Sequence, residues 1–386
     1  MAQQLYFSRD TKVFIKKGST VWELPVLDGF SFSQATNSSE ITLAEMESTG
    51  GVSRRGRKQF NDSLAPAEWS FSTYVRPFKS AGAADAAAAI TAKKADSTAN
   101  NVHAVEEVLW ALFSGPAAYT GFTFTDQFAS DATDLNIDFS ESNKSTLGTA
   151  DIFFVLGNAN KKVYKIAGCV VNEASLDFDI DGIATINWSG MGSEIIDDTA
   201  TGIPTATVAE ALTATNNFIR NRLTTLTVVP TTQNPTGDGS NELEASYALT
   251  LTGGNITMSN NVTFITPEEI GLVNTPIGHV TGTRSVSGSM TCYLSKDTGL
   301  TTHSSDLWQD LKAITNVVTN SFALNFQIGG SASGTPRLEV TMPTCHLDIP
   351  THSIEDVIAV ETGFNALPST IDGTNEATIT YHGIAL

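Results

Sequence analysis

Only three cysteines occur in 386 residues, Cys169, Cys292 and Cys345. Their odd number and wide spacing exclude a disulfide framework and fit free thiols in a protein made in a reducing cytosol. No uninterrupted apolar run approaches the ~18 residues of a membrane span, and residues 1–10 lack the apolar stretch of a signal peptide, so membrane insertion is not expected. Positive charge is scarce too: 22 Lys and Arg stand against 41 Asp and Glu, a formal net charge of −19. The imbalance is even along the chain, with 16 basic against 26 acidic residues in 1–210 and 6 against 15 in 211–386. A uniformly acidic surface repels polyanions, which disfavours a DNA- or RNA-gripping role but leaves passage of DNA without sticking allowed.

Catalytic signatures are missing as well. The six histidines, at 103, 279, 303, 346, 352 and 382, show no HxxxH or HExxH spacing, and adjacent Cys345 and His346 would point to opposite sides of a strand. No nucleophile-elbow serine and no phosphate-cradling glycine loop ahead of a helix is present. One stretch, Asp177-Phe178-Asp179-Ile180-Asp181-Gly182, opens like an EF-hand calcium loop, yet Trp188 occupies the twelfth place where the bidentate glutamate belongs. Phe178 and Ile180 alternate with the three aspartates as in a half-buried strand, so the stretch is read as an acidic strand face. No catalytic residue, metal or cofactor is assigned.

What is present points to strands. Hydrophobic residues make up 41% of the chain and charged ones 16%, with 30 glycines and abundant Thr and Ser. The length exceeds one ordinary domain of ~100 to 200 residues, and an internal repeat accounts for the excess. In the first half, a strand over 28–36 leads through a polar segment, 37–66, into a strand over 68–76; the second half repeats this with 249–259, a long connection, 260–281, and 284–294. A helix follows in each. Val102, Val105, Leu109, Leu112 and Phe113 share one face of the first, with Glu106 and Glu107 on its polar side and Gly115-Pro116 as its stop. Leu307, Leu311 and Ile314 share a face of the second, with Ser304 or Ser305 as its cap.

Closing strands are expected over 151–156, 162–171, 174–180 and 183–188, echoed by 321–328, 337–342 and 358–366, with a last strand over 377–382. The turns match: Phe154-Val155-Leu156-Gly157 parallels Phe326-Gln327-Ile328-Gly329, and a cysteine follows in each half, Cys169 and Cys345. Residues 197–214, rich in Thr, Ala and Asp, read as a boundary, which divides the chain into domains at 1–205 and 206–386. Two insertions stand out, an alanine-rich excursion over 79–101 and a Pro/Gly/Ser/Asn loop over 231–241.

The first long connection carries acidic Glu40, Glu45 and Glu47 and then the dense basic run Arg54, Arg55, Arg57 and Lys58; its counterpart carries Glu268 and Glu269. A solvated loop is one reading. The sharper one is that oppositely charged loops contact neighbouring copies and set register between stacked subunits. A nucleic-acid patch ranks third, since no aromatics interleave with the basic run.

Two stretches resemble the tail tube proteins of long-tailed bacteriophages, in particular the duplicated-domain type of flexible-tailed siphophages. Residues 58–64 (KQFNDSL) continuing through 67–74 (AEWSFSTY) look like that family's early strand. Residues 337–343 (RLEVTMP), Asp348, 355–361 (EDVIAVE) and 364–367 (FNAL) look like its closing strands. The resemblance implies a mainly β fold of two tandem tail-tube β-sandwich or barrel domains, each flanked by one α-helix. It implies homotrimeric, pseudo-hexameric rings that self-assemble into a hollow tube within the virion and conduct the genome during ejection. The partners it implies are further copies of the chain, a tape measure protein, a terminator and a distal tail protein, with transient, non-specific passage of DNA. Asp177, Asp179 and Asp181 are candidates for an acidic stripe on the lumen. A tail terminator, sheath component or adhesin is the alternative that the same composition allows.

Overall fold

A computed structural model of the chain describes residues 5–40, 58–81, 99–114, 129–139, 147–158, 160–200, 202–206, 217–230, 246–268, 270, 273–296, 303–313, 321–332, 335–354, 356–371 and 373–383. It is mainly β, and its named strand ladders are all antiparallel. Strand formation follows the two-residue period of the sequence: Thr185–Gly192, Phe322–Ile328 and Ala359–Ala366 each bury every second side chain.

The ladders repeat between the halves. In the first, Lys12–Lys17 lies between Thr20–Leu24 and Ala150–Leu156, which passes to Lys162–Asp179. That long strand pairs along one part with Glu194–Asp197 and along another with Thr185–Gly192, which is followed by Gln59–Tyr74 and Ser31–Glu40. In the second, Thr225–Pro230 lies between Tyr247–Leu249 and Phe322–Ile328, which passes to Arg337–Leu347. Arg337–Leu347 pairs along one part with Thr378–His382 and along another with Ala359–Ala366, followed by Ser285–Tyr293 and Leu251–Ser259. Each helix, Glu107–Ser114 and Ser304–Ala313, falls between corresponding strands of its half.

Irregularities correspond too. The ladder of Ala150–Leu156 with Lys162–Asp179 slips between Ile166 and Cys169, and that of Phe322–Ile328 with Arg337–Leu347 slips where Met342 leads to Cys345. At each bulge the buried thiol donates to the carbonyl three residues back, Cys169 to Ile166 at 3.3 Å and Cys345 to Met342 at 3.9 Å. The cysteines therefore mark one structural position twice.

Four expectations need correction. The strands over 162–171 and 174–180 are one continuous strand, Lys162–Asp179, with a register shift between Val171 and Glu173. Val102 lies in the strand Ala99–Ala104 and not on the helix. Glu106 and Glu107 are buried rather than on a polar side, because every residue of Glu107–Ser114 is covered. Neither serine caps the second helix: Asp306 accepts the His303 N–H at 3.3 Å, while Ser304 Oγ donates to the Tyr293 carbonyl at 2.7 Å. Gly115, Pro116, Ile314 and the insertion residues 82–98 and 231–241 lie outside the described residues.

The halves are joined through backbone and core. Glu173–Asp179 of the long strand pairs with Gly253–Ser259, and Asp134–Asp138 pairs with Thr378–His382. One buried cluster runs from Val13 to Tyr381, with Phe178 5.5 Å from Phe326 and Trp110 4.9 Å from Trp188 between ring centroids. At its centre Trp110 Nε1 donates to Tyr381 Oη at 2.8 Å, and that hydroxyl donates to Glu106 Oε1 at 2.6 Å. Burial pushes the Glu106 carboxyl up to about 8, so near neutral pH it is largely protonated and adds little buried charge.

Candidate functional site: a polar sheet face without cations

Eight strands form a continuous run across the junction of the halves: Ser31–Glu40, Gln59–Tyr74, Thr185–Gly192, the second part of Lys162–Asp179, Leu251–Ser259, Ser285–Tyr293, Ala359–Ala366 and Thr351–Ser353. One face is core: Trp69, Phe71, Trp188, Leu176, Phe178, Ile256, Met290 and Phe364 all point inward. Strand alternation puts the intervening residues on the other face, where Ser, Thr and Asn dominate. Its charges include Glu68, Glu173, Asp177, Asp179 and Glu361, with Asp348 at the rim of the second half, and residues 170–179 and the other seven strands contain no Lys or Arg.

Short polar side chains on this face bond sideways to one another. Ser31 Oγ lies 2.8 Å from Ser70 Oγ and Ser175 Oγ 3.2 Å from Thr257 Oγ1. Ser72 Oγ donates to Asn187 Oδ1 at 2.6 Å, and Asn187 Nδ2 donates to Asp177 Oδ2 at 3.0 Å. Such cross-strand links hold the side chains along the sheet and use up donors that a passing anion could otherwise engage.

Two shallow depressions mark this face, one per half. The nine residues lining one correspond, strand by strand, to the nine lining the other, so that Glu68, Asn172 and Ser189 answer to Ser287, Asp348 and Gly363. Beneath each lies an aromatic side chain opposite a glycine, with the strands exchanged: Trp69 faces Gly190 in one half, and Phe364 faces Gly288 in the other. A Cβ at Gly190 would meet the Trp69 ring, 2.7 Å from Cε2, and one at Gly288 would stand 2.6 Å from Phe364 Cζ. One ring and one glycine per pair keep the layer closed in both halves.

Of the three aspartates expected to form one stripe, Asp177 and Asp179 share this face. Asp181 does not, because the strand ends at Asp179; Asp181 stands in the following bend, 3.8 Å from exposed Arg222. Glu68, Glu173 and Glu361 are additions that pattern reading missed. Their signal was available, since each sits out of phase with the large apolar residues of its own strand.

The loop candidates are only partly described. Exposed Glu40 and Lys58 lie at the base of the first connection, where Glu40 opposes Gln59, and Glu268 is exposed in the second. Glu45, Glu47, Arg54, Arg55, Arg57 and Glu269 lie outside the described residues. The second connection forms a hairpin of Val262–Ile265 with Gly278–Thr281, and its Asn274 exchanges backbone bonds with the first-half strand, donating to Asp62 and accepting from Leu64.

No group of three His, Cys, Asp or Glu placed to hold a metal occurs among the described residues. Trp188, at the twelfth place of the calcium-like stretch, is buried and donates its indole N–H to Thr73 at 2.9 Å. No described helix is long and apolar enough to cross a membrane.

Comparison with known proteins places the surface in context. The tail tube protein pb6 of Escherichia phage T5 is 31% identical over 388 residues, covering 96% of this chain and 75% of that protein. The family model described as phage tail tube protein matches residues 67–382, which is most of the chain. The chain therefore belongs to the phage tail tube proteins, structural components of the virion tail.

Proposed function

We propose that each chain supplies two tail-tube domains, 1–205 and 206–386, and that three chains close a ring of six such domains. Rings stack into a hollow tube, and the cation-free sheet face lines its lumen. One observation carries this reading: a face spanning both halves bears carboxylates and short hydroxyls and amides but no Lys or Arg. DNA binding depends on neutralising phosphates with cations, and a surface without them offers no such sites. At physiological ionic strength repulsion acts over ~8 Å, enough to keep a duplex off the wall without blocking a wider channel. The chain acts as a conduit and not as an enzyme. The tape measure protein, terminator and distal tail protein are the neighbours expected of such a tube, and the charged connections are suited to contact between rings.

Negative-stain imaging of the purified protein at raised concentration tests the ring, which should show a central hole and six lobes. For the lumen, Asp177→Lys/Asp179→Lys in a phage should leave tube length unchanged and slow genome ejection. Normal ejection kinetics through tubes carrying both lysines would remove the face from the lumen, and loss of tubes would assign it to an interface.

A further inference from the structure

We propose that the second connection is an arm docked on the first half through an uncharged His279, and that acid undocks it.

The arm is the hairpin of Val262–Ile265 with Gly278–Thr281, which leaves the second-half strand Leu251–Ser259 and returns as Ser285–Tyr293. Two asparagines tie its base to the first half. Asn260 Nδ2 donates to the carbonyls of Phe113 at 3.0 Å and Val171 at 3.3 Å, and Asn172 Oδ1 accepts the Val262 N–H at 2.7 Å. Farther along the arm, the Leu147 N–H donates to His279 Nε2 at 2.9 Å. Leu147, Val170 and Val262 form a small buried cluster apart from the main core, with Phe264 packed against it and the Phe264 ring 5.8 Å from that of His279.

The Leu147 bond fixes the state of the histidine. A backbone N–H only donates, so Nε2 presents its lone pair and the ring proton sits on Nδ1. Protonating Nε2 sets two N–H donors against each other and places a charge beside apolar side chains. Burial accordingly holds the His279 pKa below its ordinary 6.5. No charged side chain in the surrounding segments 147–150, 170–172, 262–265 and 278–281 offsets this. Just beyond them, Asp151 pairs with Lys165 at 3.0 Å and Glu173 belongs to the polar sheet face. Glu141 and Lys144 lie outside the described residues. The released arm therefore binds a proton more readily than the docked one. Docking is at full strength above about pH 6.5 and weakens as pH falls below it. The asparagine amides and the backbone bonds of Asn274 do not titrate there, so His279 is the point at which acid acts on the arm. Ile265, Ile277 and Val280 are exposed on it, so undocking changes the surface that the subunit offers to other molecules.

Hydrogen exchange on the unassembled protein at pH 7.5 and 5.0, corrected for the intrinsic rates, tests this. A freed histidine of pKa 6.5 limits the acid effect to about 30-fold at pH 5.0. Amides of Leu147, 262–265 and 278–281 should open at least ~3-fold more often at pH 5.0, while those of Phe322–Ile328 stay unchanged. In His279→Gln the side-chain carbonyl can still accept from Leu147 but does not titrate, and the acid effect should vanish. A smaller effect in the wild type, or the same effect in the variant, overturns the proposal. If the variant does not fold, the imidazole nitrogen shifts of the wild type decide. A proton on Nδ1 and none on Nε2 of His279 at pH 7.5 supports the docked state described, and a proton on Nε2 refutes it.

Discussion

Substituting Gly288 by alanine should destabilise the subunit far more than a one-carbon change normally does. Gly288 lies mid-sheet, where its new Cβ would overlap the Asn255 carbonyl oxygen of the adjacent strand and press on Phe364 from 2.6 Å. A side-chain clash can relax by rotation, but a backbone oxygen in a ladder moves only if its strand moves. Overpacking of a well-filled core costs ~1–3 kcal/mol, and the backbone obstruction puts Gly288→Ala at about 3 kcal/mol or more. With an unfolding entropy of about 2.1 cal/mol/K per residue, each kcal/mol lowers the melting temperature of a chain of this size by roughly 1.2 °C, so a drop of at least about 4 °C is expected. Gly278 provides the control, because nothing lies within 4 Å of the Cβ position there. Gly278→Ala should be neutral, or stabilising by up to ~1 kcal/mol through the unfolded chain. Thermal and urea unfolding of the unassembled protein measure both. A Gly288→Ala melt within about 1 °C of the parent would refute the steric argument and, with it, the account of the ring-and-glycine pairs.

Glu106 makes the fold pH-sensitive. Its carboxyl is raised from 4.5 to about 8 on folding, so the folded state holds the extra proton between those values, and stability should fall by a few kcal/mol as pH rises from about 4.5 to 8. Glu106→Gln should flatten that slope in urea titrations, and an unchanged slope would assign the pH dependence elsewhere. Tyr381→Phe removes the hydroxyl that Trp110 and Glu106 share, and it should cost about 1–3 kcal/mol by leaving buried polar atoms without partners. Treatment with EDTA should leave melting and tube formation unchanged; a calcium-dependent shift would revive the loop at Asp177.

How much was legible from the chain alone differs between the fold and the face. Period-two alternation makes strands such as Phe322–Ile328 and Ala359–Ala366 visible, and paired features such as Cys169 with Cys345 make the order of elements visible twice. That order accounts for the hairpin ladders, such as Ala150–Leu156 with Lys162–Asp179, because neighbouring alternating strands with short turns pair antiparallel, whereas ladders such as Gln59–Tyr74 with Thr185–Gly192 join strands far apart in sequence. Scarcity of Lys and Arg was likewise plain, and it disfavoured phosphate gripping without any coordinates.

Other properties belong to contacts between residues distant in sequence, which no local pattern encodes. Glu106 and Glu107 look like a polar helix flank. They are buried because the helix packs into the common core, where Tyr381, near the far end of the chain, reaches Glu106. Asp181 looks continuous with Asp177 and Asp179, but the strand stops before it. The single polar face exists only because Glu173–Asp179 pairs across the halves with Gly253–Ser259, bringing acids from both onto one surface. Composition and periodicity thus determined the strands and their duplication, whereas long-range pairing and packing decided which charges are buried and which stand together facing outward.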